Sequence, residues 1–229
     1  MKKMILLCAL ASLLVLTSCA TVGHMKTEGD LYPKMYQNHP RSIVIMPPIN
    51  HTVNVEAKEY FYTSLAKPLC DKGYYVFSPF LAMDLMKSES AYDSELFLQG
   101  SVAPFHKVFG ADAALFTIIK RWQKSALLST ITVELTYILK STETNEILFE
   151  RSGTVTKDLN DYNSSGSGLS LLLNAVTTMV ATALTDKVYV ARACNQYVLE
   201  DLPAGPYSSE FQIDKNSEAS VSNFEITIP

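Results

Sequence analysis

The chain has 229 residues, of which 48% are hydrophobic and 18% are charged, and its formal net charge is −4. This apolar content excludes a disordered chain, and nine glycines and ten prolines exclude a collagen-like one. The acidic balance argues against a nucleic-acid partner, because phosphate binding needs a concentrated cationic surface. The length predicts one large domain, or one domain with arms.

The first 18 residues have the pattern of a secretory signal peptide. Lys2 and Lys3 precede an almost purely apolar run, Met4–Leu16. The run is shorter than the roughly 20 residues that a membrane-spanning helix needs, so we expect it to be removed. Its removal takes away two basic and no acidic residues, which leaves a more acidic mature chain with no electrostatic attraction to anionic lipid.

The end of this segment, Leu16-Thr17-Ser18-Cys19, resembles a bacterial lipobox. Small residues let the peptide enter the protease, and the thiol after the cut accepts diacylglycerol. A further acyl chain on the new amino group would make the attachment stable, where one chain alone is marginal. The pattern therefore predicts lipidation at Cys19, and Ala20 favours the outer membrane by resemblance to enterobacterial sorting. The alternative is an ordinary secretory signal with an incidental cysteine.

The mature chain divides into three parts by composition. Residues 19–40 are expected to be the lipidated N-terminus and a polar tether, which would reach roughly 60–70 Å if fully extended. Tyr32, Met35 and Tyr36 offer a way for that tether to dock on the domain and shorten its reach. Residues 41–202 are predicted to form the domain. Residues 203–229 are predicted to form a C-terminal arm.

The start of the domain predicts a βαβ unit. Ser42–Met46 is a β-branched run without alternation, which is typical of a strand buried on both faces. Apolar residues at helical spacing follow in 57–69, and Tyr74–Phe77 is a second short strand. Strand, helix and strand at this spacing make such a unit.

The rest of the domain predicts a mixed sheet with helices packed on it. Residues 80–110 contain two or three short helical pieces, and Ala113–Ile119 reads as a buried strand. Thr130–Leu139 alternates cleanly, and 147–155 returns as its antiparallel partner. A long amphipathic helix follows from Leu172.

Near the end of the chain, Phe224–Ile228 offers an edge strand.

Three fragments carry a family resemblance: IVIMPPINHT, VEAKEYFYTSLAKPLCDKGYYVFSP and GADAALFTIIKRWQ. Their order behind a lipobox resembles a family of bacterial outer-membrane lipoproteins of unknown function. That family is similar in fold to the N-terminal domain of TolB and to the periplasmic domain of the CsgG secretion lipoprotein. The resemblance implies a single-domain α/β adaptor that faces the periplasm, often encoded near a CsgG-like lipoprotein. Unlike CsgG, this chain has no clear pair of long membrane-inserting hairpins.

Two cysteines remain in the domain, Cys70 and Cys194, in a compartment where a disulfide can persist. The sequence leaves open a bridge between them or two separate buried thiols, because spacing does not show whether the two backbones approach.

No pattern in the sequence predicts a catalytic or metal centre. The four histidines, at positions 24, 39, 51 and 106, form no metal-binding pair. Ser164–Gly168 has the composition of a phosphate-binding loop but lacks the lysine that such a loop needs. We therefore expect no cofactor, no metal and no enzymatic activity, although an enzyme with residues brought together only by folding stays an alternative.

The candidate partner-binding residues are Lys120, Arg121 and Trp122, because Trp and Arg are enriched at binding hot spots. The alternative is a strand end whose tryptophan covers the core while the cations are solvated. Residues 49–55 follow the first strand, where α/β folds place ligand loops.

The sequence thus favours an outer-membrane lipoprotein that binds other envelope proteins, including copies of itself. The alternative function is binding of a small molecule or glycan in a cleft near residues 49–55.

Overall fold

The computed structural model describes residues 26–125, 127–158 and 175–228, and side chains throughout these ranges except in 175–186. The predicted signal peptide 1–18, the predicted lipidation site Cys19 and the segment Ser164–Gly168 lie outside the described residues.

A mixed sheet forms the centre of the fold. Its strands are β1 (Ser42–Ile45), β2 (Ile49–Asn50), β3 (Tyr75–Val76), β4 (Ala113–Ser125), β5 (Thr130–Ser141), β6 (Ile147–Asp158) and β7 (Asn223–Ile228). Their order is β3-β1-β4-β5-β6-β7, and β2 also pairs with β4. Among the described strands, β5 runs against the other six. We call the end where β1, β3 and β4 begin the amino end of the sheet, and the opposite end the carboxyl end.

Helices cover both faces of the sheet around β1 and β4. The α-helices within the described residues are α1 (Glu28–Leu31), α2 (Pro33–Asn38), α3 (Ala57–Ser64), α4 (Ala66–Asp71), α5 (Pro79–Ser88), α6 (Ser94–Gln99), α7 (Ala103–Phe109) and α8 (Ala175–Glu200). A 3₁₀ turn spans Asp214–Asn216. The prediction of a mixed sheet with packed helices is therefore confirmed.

β1 is buried on both faces, as its unbroken apolar sequence predicts. Ile43 and Ile45 face the larger core beneath α3, α4 and α8, whereas Val44 and Met46 face a smaller core beneath α5 and α7. The chain passes from β1 through α3 and α4 to β3, which pairs with β1 in parallel. This arrangement confirms the predicted βαβ unit.

A buried polar link ties the long helix to the sheet. Asn195 of α8 donates hydrogen bonds to the Phe61 carbonyl at 3.0 Å and to the Ser64 hydroxyl at 2.8 Å. It also accepts one from the Tyr137 hydroxyl of β5. Because buried polar groups must be paired, this link fixes α8 against α3 and β5 in one register.

The second half of the predicted tether is folded. Residues 26–40 contain α1 and α2, and Tyr32 and Met35 are buried in the larger core. Thr27 starts α1, because its hydroxyl accepts the Asp30 N–H at 3.2 Å while the Asp30 carboxylate accepts the Thr27 N–H at 3.1 Å. The segment as a whole therefore does not extend to roughly 60–70 Å. Instead, Tyr32 and Met35 dock on the domain.

The C-terminal segment, predicted as an arm, completes the sheet. The edge strand expected at Phe224–Ile228 is present as β7, which pairs in parallel with β6. A Cβ at Gly153 would lie 2.2 Å from the Phe224 carbonyl oxygen, so only glycine lets the two strands approach. The predicted domain boundary at residue 202 therefore falls inside the folded unit.

Arg151 holds the C-terminal segment from within the core. Its guanidinium donates to the Tyr197 and Val198 carbonyls at 3.0 and 2.9 Å and lies over the Phe224 ring, 4.9 Å from its centroid. Its Nε is 3.9 Å from the buried Asp201 carboxylate. The side chain is fully buried, so its charge depends on these partners.

We expect Arg151→Met to destabilise the domain by about 3 kcal/mol, because it removes the cation beside the buried Asp201 carboxylate and leaves the backbone carbonyls without their donor. Arg121→Met is the matched control: Arg121 lies 3.8 Å from Glu134 but is exposed, so its loss should change stability by less than about 1 kcal/mol. Urea unfolding of the two variants measures both values. Equal losses of stability in the two variants would show that the burial of Arg151 contributes nothing to the free energy of unfolding.

Candidate functional site

The carboxyl end of the sheet carries exposed apolar side chains. Leu127, 93% exposed, and Leu128 lie in the turn between β4 and β5. Val53, 97% exposed, lies in the loop that follows β2. Isolated exposed apolar residues are ordinary, but two consecutive leucines at the tip of a hairpin form a compact apolar knob.

A groove of about 900 Å³ opens beside this end of the sheet. Loop 49–55, predicted as a ligand loop, contributes one wall, and α3, α5 and α6 contribute the others. Two hydrogen bonds join the walls to each other. The Ser94 hydroxyl donates to the Pro47 carbonyl at 2.5 Å, and the Tyr62 hydroxyl donates to the Pro79 carbonyl at 2.7 Å. The lining side chains that reach into it include Tyr62, Lys87, Tyr92, Asp93, Glu95 and Leu96.

The three candidate partner-binding residues are separated by a β-bulge. Ile119 pairs with Leu135 and Arg121 pairs with Glu134, so Lys120 is an extra residue in β4. With unbroken alternation Arg121 would face the core. The bulge instead turns Trp122 inward.

Trp122 packs on α3, with its ring centroid 5.9 Å from that of Phe61 and 6.4 Å from that of Tyr60. Lys120 and Arg121 are exposed, and Arg121 Nε is 3.8 Å from the Glu134 carboxylate. The structure therefore favours the alternative for Trp122, a cover for the core, and leaves the two cations accessible on the polar face of the sheet.

The two cysteines of the domain are free thiols, so the disulfide considered from the sequence is absent. Cys194 is fully buried in the larger core, and burial raises the pKa of its thiol well above the usual value. Cys70 of α4 is exposed, so the alternative of two buried thiols holds for Cys194 alone.

A pair of buried carboxyl groups joins the start of the folded chain to its C-terminal segment. Glu28 of α1 accepts a hydrogen bond from the Tyr36 hydroxyl at 2.9 Å. Asp214 accepts the Ala204 N–H at 2.6 Å, while its other oxygen has no hydrogen-bond partner. Burial is the main cause that raises the pKa of Glu28 to about 7, and the negative charge of Asp214 adds to it, although Tyr36 and Lys72 act in the opposite direction.

Sequence reasoning missed both the leucine knob and the carboxyl pair. Two leucines flanked by Ser125 and Ser129 in a turn were a signal for the knob. Thr27 followed three residues later by Asp30 was a signal that α1 exists. Nothing in the sequence places Asp214 beside Glu28, because 186 positions separate them along the chain.

Within 26–125, 127–158 and 175–228, no group of three or more His, Cys, Asp and Glu side chains is arranged to hold a metal ion. The histidines in this part of the chain are scattered, and His24 lies outside it. None of the helices in the described residues has both the length and the apolar character that a membrane span requires.

The fold and the surfaces described above define an α/β domain with a groove and an apolar knob at one end of its sheet. Residues 31–205 match the family described as "Putative lipoprotein GNA1162-like", so the chain belongs to this lipoprotein family.

The chain is 28% identical over 210 residues to "Putative lipoprotein NMB1124/NMB1162" of Neisseria meningitidis serogroup B, which covers 91% of this chain and 93% of that protein. The crystal structure of lipoprotein GNA1162 from Neisseria meningitidis is 24% identical, with a TM-score of 0.48 over 66% of this chain and 99% of that one. The PelC dodecamer from Paraburkholderia phytofirmans is 15% identical, with a TM-score of 0.42 over 72% of this chain and 91% of that one. No functional conclusion follows from these structural similarities.

The carboxyl pair predicts a stability that depends on pH. The pKa of Glu28 is about 7 in the fold against 4.5 for the ordinary group, so the folded state binds more protons between these values. The contribution of Glu28 to stability is therefore fully present below about pH 4.5 and is lost as pH rises through about 7.

Glu28→Gln should stabilise the protein at pH 8 by about 1–3 kcal/mol, because glutamine keeps the hydrogen bond from Tyr36 without a buried charge. Below pH about 5 the difference from the native chain should shrink. Thermal unfolding across this range measures it, with Glu218→Gln as a control at an exposed position. A stabilisation that is the same at both pH values would contradict the assignment.

Proposed function

We propose that this chain is an outer-membrane lipoprotein, anchored through acylated Cys19 after removal of residues 1–18, whose domain faces the periplasm. It acts without chemistry of its own, as an adaptor that binds another envelope protein. By the sequence resemblance, the domain is related to TolB and CsgG, and a CsgG-like lipoprotein is the favoured class of partner. Membership of the lipoprotein family supports the anchoring part of this proposal.

The leucine knob is the observation that carries the adaptor role. Leu127 and Leu128 project from a hairpin whose base is fixed by the packing of Trp122 on α3. A fixed hairpin base limits the ordering that the tip needs when it binds, so less of the binding energy is lost. The free domain leaves this apolar surface in water, and a pocket on a partner would remove it.

Lys120 and Arg121 give the same surface a means of selecting its partner. Both are exposed on the hairpin that carries the knob. Exposed charges at the rim of an interface steer encounter and discriminate between partners more than they add affinity. We therefore assign them to recognition of acidic groups around the partner's apolar pocket, and we assign Trp122 to support of the hairpin.

A photo-crosslinking amino acid at position 127 should capture an envelope protein in intact cells. The same group at Val108, an exposed apolar position on α7, should not capture that protein. Mass spectrometry of the adducts identifies the neighbour, including a second copy of this chain. In a Cys19→Ala background the adduct should fall, because the domain is no longer held at the membrane.

The adaptor role is wrong if position 127 captures no protein, or captures the same set as position 108. Arg121→Glu should lower the yield of the adduct with only a small loss of stability, about 1 kcal/mol, because both Arg121 and the Glu134 that it faces are exposed. An unchanged yield would show that the two cations take no part in partner recognition, whereas the proposed role of the leucine knob would stand.

The groove supports a second candidate function, the binding of a small molecule or glycan. Its volume of about 900 Å³ and its mixture of aromatic, apolar and charged side chains match the sites that hold such ligands. Tyr62 lies buried at its base, while Tyr92 and Leu96 form part of its open side.

Native mass spectrometry of the protein purified from its own envelope tests this second function. We expect a non-covalent adduct on the native chain that Leu96→Arg removes and Leu81→Arg keeps. Leu81 is as exposed as Leu96 but lies outside the groove, so it controls for the added charge. A native chain without an adduct, or an adduct that survives Leu96→Arg, would rule the groove out.

A further inference from the structure

The described part of the chain begins a short distance along the sequence from the predicted lipidation site. Cys19 and Lys26, the first residue that the structure describes, are seven positions apart. Whatever its conformation, a stretch of this length spans at most about 25 Å. From Glu28 onward the backbone is fixed to the domain, because the Glu28 N–H donates to the Ser217 carbonyl at 3.0 Å and the Ala219 N–H donates to the Lys26 carbonyl at 2.9 Å.

The chain joins the domain at the amino end of the sheet. Glu28 and Tyr36 lie beside Asp214, and the C-terminal segment bonds in turn to the residues before β3, with the Gly205 N–H donating to the Lys72 carbonyl at 2.8 Å. The Tyr207 N–H donates to the Gly73 carbonyl at 3.0 Å. Gly73 has a φ of +85°, and a Cβ there would lie 2.4 Å from the Ser208 nitrogen, so glycine is what permits this contact.

The same end presents two exposed side chains that suit a membrane surface. Tyr207 is 69% exposed and Ile213 is 72% exposed. Both lie in the C-terminal segment, shortly before the residues that bond to the start of α1. Ile213 sits in a turn closed by its N–H to the Glu210 carbonyl, 2.9 Å, directly before the buried Asp214. Tyrosine has an apolar ring and a polar tip, and it is enriched where lipid meets water.

Exposed charges of both signs lie at this end, so they do not favour an anionic bilayer. Lys26 and Lys215 are exposed beside the exposed acids Glu210 and Glu218. Contact with lipid would therefore rest on the short connection and on the two apolar side chains, and it should change little with salt.

We infer that the amino end of the domain contacts the bilayer, with Tyr207 and Ile213 at the lipid surface. The inference rests on the proposed acylation of Cys19. The anchor keeps the amino end at a high local concentration near lipid, so even weak contact is sufficient. β4 is 13 residues long, about 40 Å, which puts the leucine knob and the groove on the side away from the membrane.

Quenching by lipid tests this orientation. The acylated protein, in a Cys70→Ser background, receives a fluorescent label at Ile213→Cys or at Val53→Cys and is reconstituted into phosphatidylethanolamine and phosphatidylglycerol vesicles that contain spin-labelled lipid. Cys194 is buried and Cys19 carries lipid, so neither competes for the label. The label at 213 should be quenched several-fold more than the label at 53, at low and at high salt.

The outcomes separate this inference from the proposed function. An intact mass without acyl chains on Cys19 overturns both. An acylated chain with equal quenching at 213 and 53, or with stronger quenching at 53, overturns the orientation alone. A Gly/Ser insertion between Met25 and Lys26 should lower the quenching at 213 several-fold, and an unchanged value would contradict the role of the short connection.

Discussion

The hydrogen bond from Tyr32 to Asp201 is the interaction on which the assembly of the amino end of the domain depends. The Tyr32 hydroxyl donates to the Asp201 carboxylate at 2.9 Å, and Arg151 lies on the same carboxylate. Both oxygens are used, because the Ser220 N–H donates to the second one at 2.8 Å. The first folded segment, the sheet and the C-terminal segment thus meet at one buried carboxylate, and loss of one partner leaves that carboxylate less well compensated.

Local patterns predicted the strands and helices well because each one obeys a single periodicity. Ser42–Met46 was buried on both faces as expected, and the hairpin of β5 and β6 followed from the alternation of Thr130–Leu139. β4 continues six residues beyond the predicted end at Ile119, to Ser125. The bulge at Lys120 resets the alternation there, and a one-residue insertion cannot be read from a pattern of period two.

Sequence reasoning left open the parts that are held by contacts between distant residues. The segment before residue 40 is polar enough to be a tether, yet it packs because Tyr32 and Met35 meet partners on β6 and beyond α8. Cys70 and Cys194 have compatible chemistry, but one faces solvent and the other the core. The type of a residue indicates whether it prefers burial or exposure. The residue that it contacts lies in another part of the chain and cannot be identified from the local sequence.

The leucine knob is better suited to a pocket on a protein than to a bilayer. A membrane-spanning strand needs about nine to eleven residues with an apolar outer face, whereas polar Ser125 and Ser129 bound the two exposed leucines. The strands beneath the knob carry Thr132 and Thr156 on the open face, joined by a hydroxyl contact of 3.1 Å, and these groups would lose their water in lipid. In the proposed adaptor role, a hairpin with an apolar tip on polar strands would insert the tip alone, to the depth at which the polar residues begin.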